Sequence, residues 1–355
     1  MHYICEHNDL KRNMNTNETY HKFLLEILMN GVKKDPSRDQ GYGTIEAFGT
    51  TTPMVFDLSQ GVPVVSTKEI WIKGIIQELL WFLAGDTNVR RLRENKVHFW
   101  DANAYRYYEG LGGNLPIEDF LSFVDAGATG EINKKAYIFG DLGRMYGYQW
   151  RRKQVVNLSG KVIETDPLYE LIQDLRTNPN SRQIVLDTFS SYDSKHSALP
   201  PCHSMPLIFN TIPITQQERI YMAEAILKEH VYNYNPELLE DLKIPTYRLN
   251  MDMTQRSGDA FLGVPFNITS SALLLLCIAE LTGLAPGQFT HRVVNAHIYE
   301  NHTDAVNTQL LQDTDPVGYF DYTINWDEDP DNISPDEIQI DYVSDGPVIK
   351  AEMVV

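Results

Sequence analysis

Cysteine is scarce in this 355-residue chain, which carries only Cys5, Cys202 and Cys277. Widely spaced and odd in number, they supply neither a disulfide framework nor the close pairs of a zinc site, which fits a reducing compartment. Positive charge is short as well: 30 Lys and Arg stand against 48 Asp and Glu, for a formal net charge of −18. That balance excludes a general nucleic-acid surface, because phosphate backbones need clustered cations. It leaves room for one small anion, since a few arginines can converge on a single phosphate. Long apolar runs are missing too, and the longest, residues 272–279, is far too short to cross a bilayer. Glu6, His7, Asn8 and Asp9 deprive the first residues of the apolar core of a secretion signal. No internal repeat or low-complexity linker divides the chain. These absences predict a cytoplasmic protein with no metal, no membrane and no nucleic-acid partner. They also predict one domain, residues 19–355, behind a loose polar arm of residues 1–18.

What is present is an ordinary globular composition, 43% apolar and 22% charged. Apolar residues recur at helical spacing over residues 20–32, 69–84, 168–177 and 270–282, the last stopped by Gly283. Residues 44–56 predict a strand pair, 184–189 and 207–209 short core strands, and the acidic tail from residue 319 further strands. Two stretches look like inserts: an irregular one at about 104–138, and one at about 211–247 with a helix over 220–229. Helices mixed with strands that are not in βαβ order predict an α+β fold.

The chemistry is concentrated at Cys202, within Ala198-Leu199-Pro200-Pro201-Cys202-His203. A rigid Pro-Pro approach to a thiol, with an imidazole next in sequence, suits a positioned nucleophile, because the thiolate needs a cationic or polar neighbourhood. A carboxyl, Glu78, interrupts the apolar run Ile75-Ile76-Gln77-Glu78-Leu79-Leu80-Trp81. Such a carboxylate must be partnered or neutral, which marks it as a proton-transfer candidate.

Further segments carry a family resemblance. They are Glu78–Asn88 (ELLWFLAGDTN), Gly140–Arg151 (GDLGRMYGYQWR), Asn180-Ser181-Arg182, Gln255–Ile268 (QRSGDAFLGVPFNI), Ala296–His302 (AHIYENH) and the ending Glu352-Met353-Val354-Val355. Taken in this order, with Cys202, the chain resembles the thymidylate synthase family from about residue 20 to its end. The resemblance implies a large, mostly antiparallel curved sheet packed with helices, and a homodimer formed sheet to sheet. It implies one-carbon transfer to C5 of dUMP, with 5,10-methylenetetrahydrofolate as co-substrate. Adding a thiolate at C6 would make C5 nucleophilic, splitting one hard step into easier ones.

By this resemblance Cys202 is the nucleophile, Arg256 favours its thiolate, Glu78 shuttles protons and Tyr146 helps remove the C5 proton. Asn267 would read O4 and N3–H of uracil, since an amide accepts and donates at once. His297 and Tyr299 would bind the ribose 3′-hydroxyl, with His203 and Gln255 also lining the nucleotide. Arg256 and Ser257 would hold the phosphate, and Arg182 would reach it from the partner subunit. Trp100, Asp259, Leu262, Gly263, Phe266 and Val354 would hold the folate.

Three positions depart from the family pattern. Its Arg-Thr-Gly-Thr-Gly-Thr loop is here Asp39-Gln40-Gly41-Tyr42-Gly43-Thr44, with Arg38 displaced by one place. Its cross-subunit Arg-Arg pair is Arg182-Gln183, which leaves Arg38 or Arg144 to substitute at the phosphate. The tryptophan expected three residues after Trp100 is Asn103. A weaker latch on the C-terminal tail and a polar residue on the folate side would both admit water. Water capture of the C5 methylene gives 5-hydroxymethyl-dUMP, whereas hydride capture gives dTMP and dihydrofolate. The departures therefore predict a deoxyuridylate hydroxymethylase of viral type, in the host cytoplasm, with thymidylate synthase as the alternative. A degenerate binding protein, using acidic Glu237, Glu240 and Asp241 as a partner surface, is the remaining reading.

Overall fold

A computed structural model describes residues 15–36, 41–203, 205–228, 230, 236–315, 318–325, 334–343 and 346–354. The chain packs as two compact units that interleave along the sequence. The first comprises Met1–Ile70, Leu171–Val185 and Leu207–Met353; the second comprises Trp71–Glu170, Leu186–Pro206 and the last two residues.

The first unit is organised by a seven-stranded sheet. Its order is Val32–Lys34, Thr44–Phe48, Ala285–Tyr299, Tyr247–Asp259, Leu207–Pro213 and Val185–Leu186, with Met54–Asp57 also pairing along Ala285–Tyr299. Pairing is mostly antiparallel, with one parallel contact between Tyr247–Asp259 and Ala285–Tyr299. A parallel pair needs a crossover, and here it is the helix Gly263–Thr282. One βαβ unit thus sits inside a sheet expected to have none.

That helix begins seven residues earlier than the expected start at 270. Its first turn is made of motif residues Gly263-Val264-Pro265-Phe266-Asn267, where Pro265 lies near enough to the start to lose no helical hydrogen bond. It ends at Gly283, whose φ of +66° is one that only glycine adopts freely. At 20 residues it is long and apolar enough to cross a membrane by length, so the run seen at 272–279 understated it. Its side chains are instead core: Leu273, Leu275, Cys277 and Ile278 are each 0% exposed. Each fully buried Leu or Ile contributes about 1.5–3 kcal/mol through loss of apolar surface to water.

The polar arm also ends earlier than expected. Helix Thr16–Asn30 starts inside it, because Asn15 and Glu18 form a reciprocal capping box with bonds of 2.8 and 2.9 Å. Residues 1–14 lie outside the described residues. The insert near 211–247 packs a small apolar cluster, Ile214, Met222, Ala223, Leu239 and Ile244, against Ala285 of the sheet. Its main helix runs Gln216–Leu227 rather than 220–229, started by a capping box between Thr215 and Glu218. Short strand pairs in the tail join Tyr319–Phe320 to Val62–Pro63 and Tyr322–Ile324 to Ile338–Ile340.

In the second unit, helix Ile72–Leu83 is buried along most of its length. The stretch 104–138, expected to be irregular, is regular: helices Asp101–Gly110 and Ile117–Asp125 lead to the hairpin Thr129–Ile132/Lys135–Ile138. The hairpin turns on Asn133 and Lys134, both at positive φ, as a two-residue turn of this hand requires. Rings hold it together, among them Tyr108 and Phe120 at 4.9 Å and Phe123 and Phe139 at 5.0 Å. Aromatic packing here supplies the order that the glycines concealed.

Candidate functional site

In the second unit, Cys202 follows its two prolines into an irregular segment, half-buried and outside any disulfide. Its main-chain N–H donates to the Tyr146 hydroxyl at 2.9 Å. Tyr146 is 6% exposed, stacks on Phe82 at 5.0 Å and meets Trp100 and His203 edge-on at 5.9 and 5.5 Å. Its backbone is strained, with φ +40° and ψ −104°, a conformation that costs a non-glycine residue on the order of 1–3 kcal/mol. The neighbouring Gly147 explains how this is held. A Cβ there would fall 2.3 Å from the Phe82 carbonyl oxygen, so only glycine lets the turn press against helix Ile72–Leu83. Burial pushes the Tyr146 hydroxyl well above its ordinary pKa, and the nearby Cys202 and Glu78 charges push it further the same way.

Glu78 lies on that helix and accepts a hydrogen bond from Trp100 Nε1 at 2.7 Å. Loss of hydration raises its pKa to about 7, against the opposing pull of the Trp100 donor. Burial lowers the pKa of His203 to about 4, so the imidazole next to Cys202 is a polar neighbour rather than a cation. Asn103, on helix Asp101–Gly110, is half-buried, and Arg144 is exposed with its guanidinium 5.2 Å from the Tyr148 ring.

In the first unit, the parallel register sets Ser257, Gly258 and Asp259 opposite Asn295, Ala296 and His297. Ser257 Oγ lies 3.5 Å from His297 Nδ1, and the His297 and Tyr299 rings meet at 5.2 Å. Asn267, one turn into the long helix, donates to Gln255 Oε1 at 3.2 Å. Leu262 and Gly263 form the entry to that helix, with Phe266 beside Asn267 on its first turn. Arg256 is half-buried in its strand and Arg182 is exposed on the segment leading to Val185–Leu186; Val354, which belongs to the second unit, is half-buried. Arg38 lies outside the described residues.

Asp259 is the electrostatic centre of this group. Burial would raise its pKa, but His302, His297 and the Leu262 N–H together hold it below the ordinary carboxylate range. Its Oδ1 accepts from Phe261 N at 2.9 Å and Leu262 N at 3.2 Å. His302 Nδ1 approaches the same oxygen to 3.8 Å, and its Nε2 lies 2.7 Å from the main-chain oxygen of Glu352. Although burial alone would lower it, the His302 pKa is raised by Asp259 and by that carbonyl. The Glu352 carboxylate in turn accepts from Tyr42 Oη at 3.1 Å. Lys68, buried and lowered to a pKa of about 8 by desolvation, donates to the Phe261 carbonyl and braces the turn after Asp259.

His302, Tyr42 and Lys68 escaped the sequence reading. His302 stood in a quoted motif, but its role depends on Glu352, fifty residues onward. Tyr42 was read only as the residue left where a threonine was expected.

A thiol backed by a tyrosine hydroxyl, in one unit with a carboxyl that titrates near neutrality, belongs to enzymes that bond covalently to their substrate and move protons. Comparison with known proteins gives the family. The thymidylate synthase family model matches residues 18–355. The thymidylate synthase of Mycoplasma mobile is 33% identical over 339 residues, 95% of this chain and all of that protein. That of Phytoplasma mali is 34% identical over 297 residues, covering 82% and 84% of the two chains. The chain belongs to the thymidylate synthase family, and it is an enzyme of one-carbon transfer to dUMP.

Proposed function

We propose that this chain methylates dUMP to dTMP with 5,10-methylenetetrahydrofolate as one-carbon and hydride donor. The observation that carries the reading is Glu78, a carboxyl poised near pH 7 and held by Trp100. In this scheme Cys202 Sγ bonds to C6 of uracil and the electrons of the C5–C6 double bond move toward O4. C5 then attacks the methylene carbon of the folate as one of its two C–N bonds opens. Tyr146 assists loss of the C5 proton as the second C–N bond breaks and tetrahydrofolate leaves an exocyclic methylene on C5, and Glu78 relays protons at O4 and the folate. Hydride reduces the exocyclic methylene, and Cys202 leaves. Asn267 and Gln255 read the base, His297 and Tyr299 the ribose, and Arg256 and Ser257 the phosphate. Asp259 fits the folate: with Oδ1 on two main-chain N–H groups, Oδ2 remains for a donor of the pterin ring. Trp100, Leu262, Gly263, Phe266 and Val354 complete that side, and one catalytic domain over residues 19–355 fits the extent of the family match.

Water capture to 5-hydroxymethyl-dUMP is the second reading. One of its two premises has weakened, because the tail is held at Glu352 by His302 and Tyr42. The similar proteins are also thymidylate synthases by name. Asn103 remains in its favour. Incubation with dUMP and methylenetetrahydrofolate tests both: dTMP formed one-for-one with dihydrofolate supports the synthase. A product heavier by one oxygen, without dihydrofolate, overturns it. Undiminished biological function in a Cys202→Ala variant would instead indicate a binding protein.

A homodimer through the sheet is part of the reading. Ile208, Asp252, Thr290 and Val55 align across four strands, so they share one face. Ile208 and Val55 are 50% and 45% exposed there, and Ile212, four residues beyond Ile208 on the same face, is 51% exposed. Apolar side chains in that number on a sheet face suit burial against a second copy. Exposed Arg182 is then available to the partner's phosphate.

A further inference from the structure

Asn267 cannot choose a base by itself. A primary amide presents an oxygen and an N–H, and a half-turn exchanges them. One orientation matches uracil, whose N3–H donates and whose O4 accepts. The other matches cytosine, whose N3 accepts and whose 4-amino group donates. Whatever stops that half-turn sets the specificity.

Asn267 Nδ2 donates to Gln255 Oε1 at 3.2 Å, and the same oxygen lies 2.9 Å from His291 Nε2. Gln255 is 3% exposed and His291 0%, so neither bond is easily exchanged for water. The imidazole is fixed by stacking on Phe289 at 5.9 Å and 20°, and Phe289 stacks on Phe56 at 5.8 Å. With its proton on Nε2, His291 can only donate along this line, which turns the oxygen of Gln255 toward it. That oxygen then takes one of the two Asn267 N–H groups. The other N–H and Oδ1 stay side by side for the base. Turning Asn267 over would set Oδ1 against Gln255 Oε1, two acceptors in contact.

We propose that His291, acting through Gln255, locks the Asn267 amide and is the positioning residue that selects uracil over cytosine. The inference rests on the dUMP reading above and deepens it. Moving the ring proton to Nδ1 would reverse each bond in the line and present the cytosine pattern.

The test is calorimetric titration of the full chain with dUMP and with dCMP, before and after His291→Phe, which keeps the stacked ring and removes the donor. The native chain should prefer dUMP, and the variant should lose about tenfold of that preference, the worth of one hydrogen bond near 1.4 kcal/mol. An unchanged dUMP-to-dCMP ratio, or equal weakening of both, overturns the lock. If the variant does not fold, nitrogen NMR of the native chain decides: a proton on His291 Nε2 supports the lock, and a bare Nε2 sinks it. A native chain that binds neither nucleotide refutes the dUMP reading itself, whereas a dUMP preference that survives His291→Phe refutes only the lock.

Discussion

Trp100 Nε1 donates to Glu78 Oε1 at 2.7 Å, opposing the desolvation that raises the same carboxyl to a pKa of about 7. The indole stabilises the charged form, burial the neutral form, and burial wins. Trp100→Phe keeps an aromatic ring and removes the donor together with the indole's second ring, so the acidic limb of the pH–rate profile should move upward. An unmoved limb would mean that another group sets it.

Glu78 also makes stability depend on pH. In the unfolded chain it ionises from its ordinary value of 4.5, while in the folded chain it stays protonated up to about 7. Between those values the folded state binds more protons, so stability falls as pH rises. Glu78→Gln abolishes this dependence. Its stability should match that of the native chain near pH 4.5 and exceed it above pH 7, by a difference approaching about 3 kcal/mol. Activity should fall by roughly 10²–10⁴. Thermal unfolding across pH checks the first effect and steady-state kinetics the second.

Tyr146→Phe keeps the ring on Phe82 and deletes the hydroxyl that receives the Cys202 N–H. Release of tritium from C5-labelled dUMP should slow by on the order of 10²-fold or more, because positioned proton transfer is lost. Calorimetry should show dUMP affinity nearly unchanged. A proportional loss of affinity would give the hydroxyl a binding role.

Tyr42→Phe tests the tail. The phenol holds the Glu352 carboxylate, so its loss should loosen the C-terminus and raise 5-hydroxymethyl-dUMP relative to dTMP by several-fold, as water exclusion weakens. Product mass spectrometry reads the ratio. Constant product composition would show that His302 alone suffices.

Arg182 and Cys202 can be separated genetically if the dimer is correct. Arg182→Ala and Cys202→Ser chains should each be nearly inactive. When they are mixed and reassembled, one site in each hybrid regains both residues, returning about a quarter of full activity. No recovery would confine Arg182 to its own protomer.

How much was legible follows from how local each signal is. Helix Ile72–Leu83 and the stop at Gly283 were readable because apolar spacing and a left-handed cap act within a few residues. Glu78 was readable because a carboxyl in an apolar run has few stable outcomes. The aromatic hairpin of residues 129–138 was missed, since its order comes from rings on helices before it. Whether His203 would be charged was not legible, because the burial that lowers its pKa is invisible in sequence. The contacts of Tyr42 and His302 with Glu352 join residues 310 and 50 apart, which no spacing rule connects.

The long buried helix Gly263–Thr282 carries Asn267 in its first turn and adjoins Asp259 at its start. Opening it would uncover an unbroken row of leucines, so its amide protons should exchange with solvent only when the whole unit unfolds. Mild heating or denaturant should therefore leave the choice of base intact until that unit melts as a whole.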